Sequence, residues 1–120
     1  MPRNFLLSLA ALLFVSGAFA QKSDAKVVIK TPTVQCEKCQ KRIQDYMSHE
    51  DGVVKCAVDY KKKTATVTYL PDRTNIENIK TAIANVGYDA DDVTANPDSY
   101  KALPTCCKKP EDGGGPPKKQ

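Results

Sequence analysis

Cys36 and Cys39 are the residues best placed by type and spacing to do chemistry. Two residues separate them, which lets both sulfurs converge on one point outside a fold. Two thiolates hold Cu(I) in a near-linear arrangement, and thiolate ligands select soft ions over Mg or Ca. A helical period begins at Glu37, so the pair sits at a helix start. Free amide donors and the positive end of the helix dipole favour thiolates there. Lys38, Lys41 and Arg42 add positive charge, opposed in part by Glu37, and suit the net negative charge of a bis-thiolate Cu(I) centre. Cu(I) is the first candidate. Hg(II) also favours two thiolates, and Zn(II) is a further candidate. Against this stands an incidental or purely structural pair.

The chain has five cysteines, an odd number for a disulfide framework. Cys36 with Cys39, and Cys106 with Cys107, form tight local clusters, whereas disulfide scaffolds usually join distant segments. A bond between adjacent cysteines is strained. Cys106 and Cys107 are therefore candidates to fold back as additional ligands, to bind a second ion, or to reduce a Cys36–Cys39 disulfide by exchange. The bland alternative is a tail that happens to carry thiols. Cys56 reads as a small packed residue. His49, the single histidine, reads as an exposed residue at a helix end rather than a ligand.

The elements that must position these groups follow from hydrophobic periodicity. Lys26 to Thr31 reads as a strand, ended by Pro32. Cys39, Ile43, Tyr46 and Met47 then share one helical face, and the helix stops at Asp51-Gly52. Val54, Cys56, Val58 and Tyr60 alternate on one side of a second strand. Ala65, Val67 and Tyr69 do so on a third, and the two predict a hairpin. Thr74 and Glu77 suggest a capping box for a second helix with Ile76, Ile79, Ile83 and Val86 on its buried stripe. Gly87 is placed to cap its C-terminus. Tyr88 to Ala95 is the candidate last strand. This order predicts an α+β fold, the ferredoxin-like split βαββαβ unit: a four-stranded antiparallel sheet with both helices on one face.

Flanking segments complete the domain plan. Residues 1–20 read as a signal peptide, with Arg3 leading an apolar run from Phe5 to Val15 and Ala18-Phe19-Ala20 supplying a cleavage site near Ala20. Export follows, and with no later apolar run long enough to span a bilayer, the mature protein is expected not to span a membrane. Residues 21–25 form a polar lead, 26–95 the domain, 96–107 an extension bearing the cysteine pair, and 108–120 a disordered tail of Lys, Gly and Pro. Within the extension, Asn96-Pro97-Asp98 is placed to start one helical turn carrying Tyr100 and Leu103. Eighteen Lys and Arg against fourteen Asp and Glu give a net charge of +4. These charges are mixed along the chain without aromatic interleaving, which argues against nucleic acid as a partner.

Three motifs carry a family resemblance: Cys36-Glu37-Lys38-Cys39 followed by Ile43, Asp51-Gly52-Val53, and Val86-Gly87-Tyr88-Asp89-Ala90. Residues Lys26 to about Ala95 resemble a heavy-metal-associated domain. That family includes copper chaperones, metal-binding domains of copper-transporting P-type ATPases and periplasmic mercury-binding proteins. The resemblance implies the split βαββαβ fold, metal carriage by Cys36 and Cys39, and a periplasmic setting. It places Tyr88 beside the metal loop, where its phenol could hydrogen-bond or shield a sulfur. Two departures stand out. Thr33-Val34-Gln35 replaces the usual Gly-Met-Thr, with Val34 taking the place of the apolar Met plug, and Cys106-Cys107 lies outside the family pattern.

The expected function is binding and transfer of metal by thiolate exchange, not enzymatic catalysis. A copper-transporting ATPase, an efflux component or a cuproprotein is the expected partner. A periplasmic Hg(II) carrier is the nearest rival. A thiol–disulfide oxidoreductase is a second class, weakened by the lack of a Trp-Cys-Gly-Pro-Cys site and of a thioredoxin-like order of elements. A structural or adhesive domain with oxidised thiols is the third.

Overall fold

Short alternating segments pair into the sheet that carries the site. In the computed structural model, which describes residues 23–115, β1 (Ala25–Lys30), β2 (Val53–Asp59) and β3 (Thr64–Tyr69) form three strands in the order β1-β3-β2. The proposed signal segment and residues 116–120 lie outside the described residues. β3 runs antiparallel to both neighbours, with Ala65 opposite Ile29 on one side and Val58 on the other. The β2–β3 turn is tied by the Asp59 carboxylate, which accepts from the Lys61 and Lys62 amides at 3.0 Å each.

Two helices of equal length, α1 (Glu37–Met47) and α2 (Ile76–Val86), bury their apolar stripes against this sheet. Cys39, Ile43 and Met47 of α1 and Ile79, Ile83 and Val86 of α2 join Ile29, Ala65 and Val67 in one core. The opposite sheet face leaves Val28 exposed.

Four details differ from the periodicity reading. Val54 points to solvent, because a register shift between Val53 and Lys55 inserts a residue and reverses the facing of side chains. Tyr46 and Ile76 lie at the margins of their helical stripes and are exposed. The second helix is capped by Asn75, whose side chain accepts from the Asn78 amide at 2.8 Å, so the Thr74–Glu77 box is displaced by one position. Thr74 is buried instead.

The largest difference concerns the fourth strand. Ala90 and Val93 exchange both backbone hydrogen bonds at 2.9 Å, curling the chain onto itself around Asp91, which has φ of 51°. Asp91 meets the β1 edge: its amide donates to the Lys30 carbonyl at 2.8 Å and its carboxylate accepts from the Lys30 amide at 2.7 Å. Backbone groups spent in the local turn are not free to extend a ladder, so the four-stranded expectation gives way to three strands among the described residues.

Beyond this turn the extension folds as part of the domain. α3 (Pro97–Lys101) is capped by the Asn96 side chain, which accepts from the Asp98 and Ser99 amides. Leu103 and Cys107 then enter the core. Residues expected to belong to a disordered tail carry a short 3₁₀ turn, Pro110–Asp112. It is held by the Tyr100 hydroxyl, which donates to Asp112 and accepts from the Lys109 amide at 2.9 Å.

Candidate metal centre

The β1–α1 loop is fixed from three directions before it delivers its thiols. Val34 is fully buried, and its carbonyl accepts from the Lys63 ammonium at 2.7 Å. The hydroxyl of Thr33 accepts from the Asp89 amide at 3.0 Å, joining the loop to the segment after α2. The Thr31 amide donates to the Lys63 carbonyl at 2.8 Å, holding the strand end to the hairpin. Neither the Lys63 clamp nor the Thr33 tether is visible in the sequence. A lysine in a charged turn and a threonine in a loop have no distinguishing local pattern, and their partners are remote in the chain.

Cys36 is the residue immediately before α1 and Cys39 lies in its first turn. Their sulfurs are 3.7 Å apart, and both are free thiols. Cys36 is half-buried while Cys39 is fully buried. The helix start affects them unequally. Burial raises the Cys36 pKa; the amides of Cys39 and Lys38 oppose it, but the neighbouring thiol adds to the rise. At Cys39 burial also opposes ionisation, yet the Cys107 thiol, the Tyr88 hydroxyl and the Gln35 and Cys36 backbone together bring its pKa below the ordinary value. The amides at the helix start thus act on Cys36 without overcoming its burial, whereas Cys39 is lowered chiefly by the Cys107 and Tyr88 side chains.

Tyr88 is fully buried behind the pair. Its hydroxyl forms no hydrogen bond of good geometry. Burial raises its own pKa strongly, followed by the influence of Cys107 and Cys39. The phenol therefore stays protonated, with the Cys107 and Cys39 thiols as its neighbours.

The C-terminal extension returns to the same place. Cys106 and Cys107 occupy a 3₁₀ turn, Thr105–Cys107, packed against α1. The Cys36 thiol approaches the Cys106 carbonyl at 3.8 Å, and the sulfurs of Cys106 and Cys107 are 4.0 Å apart. Cys36, Cys106 and Cys107 place their sulfurs within 4.8 Å of one another, a group able to hold a metal ion. Lys38, Lys41 and Arg42 line a groove together with Asp45 and Pro104.

The remaining candidates lie elsewhere. Cys56 sits on β2, where burial alone pushes its thiol up to about 11. His49 is exposed beyond the far end of α1, a helix about 16 Å long. There its Nδ1 lies 2.9 Å from the Asp45 carbonyl.

A three-stranded antiparallel sheet with two helices and a thiol cluster at the first strand–helix junction defines a small α+β domain with a ligand set suited to soft metal ions. The chain belongs to the heavy-metal-associated domain family, whose pattern matches residues 28–89. The mercuric transport protein periplasmic component of Shewanella putrefaciens is 28% identical over 82 residues, covering 68% of this chain and 90% of that protein. Its counterpart from Acinetobacter calcoaceticus is 29% identical over 72% of this chain and 92% of its own length. A copper-exporting P-type ATPase of Staphylococcus epidermidis is 33% identical over 51% of this chain, but the match spans only 8% of the ATPase. Among solved structures, oxidized MerP from Ralstonia metallidurans CH34 superposes with a TM-score of 0.54 at 25% identity, covering 57% of this chain and 94% of MerP. The CopZ metallochaperone gives 0.53 at 21% identity over 55% of this chain and 98% of CopZ. No helix among the described residues is long and apolar enough to cross a membrane.

Proposed function

We propose that this chain is an exported carrier of a soft metal ion, Cu(I) first, received and handed on through Cys36 and Cys39. The observation that carries this reading is the 3.7 Å separation of two free thiols at a strand–helix junction, one half-exposed and one buried. A partner thiolate reaches the ion from the Cys36 side, a bridged intermediate forms, and one original thiolate leaves. For an ion held on this pair alone, affinity stays high while the barrier to exchange stays low. The expected acceptor or donor is a copper-transporting ATPase, an efflux component or a cuproprotein. Kinship to periplasmic mercuric transport components along nearly their whole length supports export.

The same kinship favours Hg(II) as a second reading, since the copper ATPases match over only a small part of their length. Titration of the reduced chain with Cu(I), Hg(II) and Zn(II) against competing chelators ranks the ions. The double variant Cys36→Ser, Cys39→Ser is expected to lose soft-metal binding. Unchanged affinity in that variant would refute the reading, and turnover of disulfide substrates would favour an oxidoreductase instead.

A further inference from the structure

Cys36 faces two sets of sulfurs. Cys39 lies 3.7 Å from it, and Cys106 and Cys107 share a 4.8 Å cluster with it. With metal–sulfur bonds of about 2.3 Å, ligand sulfurs stand roughly 4.0 Å apart around a trigonal ion, roughly 3.8 Å around a tetrahedral one and roughly 4.6 Å across a linear one. The Cys36–Cys39 and Cys106–Cys107 spacings, 3.7 and 4.0 Å, match the higher coordination numbers. A linear clamp would require the first pair to open by roughly 1 Å.

We propose that Cys36, Cys106 and Cys107 form a three-sulfur site for a soft ion, so that an ion received on Cys36 and Cys39 is retained by the C-terminal extension. The proposal rests on the reading of Cys36 and Cys39 as the entry pair. The extension is built to hold these sulfurs in place. Leu103 and Cys107 are buried in the core, the Asn96 cap fixes α3, and Tyr100 ties down the chain beyond the pair through Lys109 and Asp112. Much of the ordering cost of recruiting a remote ligand is therefore met when the domain folds. Cys106 is half-buried beside half-buried Cys36, which leaves the ion approachable from that side.

On transfer, the Cys106 and Cys107 thiols each release a proton to solvent and donate a sulfur electron pair to the ion. The bond to Cys39 breaks and that sulfur takes up a proton. The oxidation state of the metal does not change. A partner must then displace sulfurs of the extension as well as Cys36, so the extension slows release.

Cu(I) under reducing conditions is the probe. X-ray absorption counts its sulfur ligands, and competition with a Cu(I) chelator gives affinity. The full chain is expected to show three sulfurs. Cys106→Ser, at a half-exposed position that tolerates the change, and Cys107→Ala are each expected to show two. Affinity in each should fall roughly ten- to a hundredfold, at least what loss of a supporting residue around a metal costs. Cys39→Ser should retain measurable binding while Cys36→Ser loses most of it. Two sulfurs in the full chain, with affinity unaltered in Cys106→Ser and Cys107→Ala, would overturn the proposal and leave the entry pair standing. Full affinity in the double variant Cys36→Ser, Cys39→Ser would overturn the entry-pair reading itself.

Discussion

The Cys36 thiol approaches the carbonyl of Cys106 at 3.8 Å across 70 positions of sequence. This contact makes the C-terminal extension a wall of the site rather than an appendage. It also links stability of the extension to the geometry of the thiols, and consequences follow for residues that touch neither sulfur.

Leu103 anchors the extension and is 5% exposed. Leu103→Ala is expected to cost about 2–4 kcal/mol, the usual loss for a buried leucine in a site that cannot collapse fully. Urea unfolding of the metal-free chain measures it. A stability equal to that of the parent would mean that the extension does not belong to the core.

Gly87 serves two purposes at once. It ends α2 with φ of 118°, and a Cβ there would stand 3.1 Å from the Ser99 carbonyl and from the Leu103 side chain. Gly87→Ala combines left-handed strain, about 1–2 kcal/mol, with a push against the extension. Thermal unfolding should show a lower midpoint, and hydrogen exchange should rise in α3 and the Cys106–Cys107 turn.

Tyr88 is expected to act on a thiol more than on the fold. Phenylalanine keeps the ring and removes a buried hydroxyl that has no well-formed partner, so stability should change by less than about 1 kcal/mol. Cys39 loses a neighbour that lowers its pKa. Its ultraviolet thiolate absorbance in the metal-free Tyr88→Phe chain should therefore appear at higher pH. An unmoved titration would remove Tyr88 from any role at the sulfur.

Cys56 stands apart from the metal-binding question. Burial holds its pKa at about 11, above the ordinary 9.0. The folded state therefore binds this proton more tightly than the unfolded state. The resulting stability is fully present below pH 9 and is lost as pH rises toward 11. Alkylation of Cys56 should stay slow at pH 8 and accelerate through that window, and Cys56→Ala should leave metal stoichiometry unchanged. A fast reaction at pH 8 would contradict the burial.

Local physics made most of the fold legible in sequence. Inward alternation of Ala65, Val67 and Tyr69 marked β3, the spacing of Cys39, Ile43 and Met47 gave the α1 stripe, and Gly87 stood at the helix end. Those features depend on neighbours within a turn or a pleat. Val54 misled because a bulge changes facing without changing residue type. The fourth strand misled because Ala90 and Val93 satisfy each other.

The sequence by itself determined the βαββα order of elements, the Cys36–Cys39 pair at a helix start and the family to which the chain belongs. Only the tertiary structure decided what surrounds that pair. Burial of Tyr88 behind Cys39, the Lys63 clamp on Val34 and the return of Cys106 and Cys107 to Cys36 all join positions remote in the chain. No local period encodes such contacts. They are fixed by how the core closes, with Leu103 and Cys107 taking places inside it.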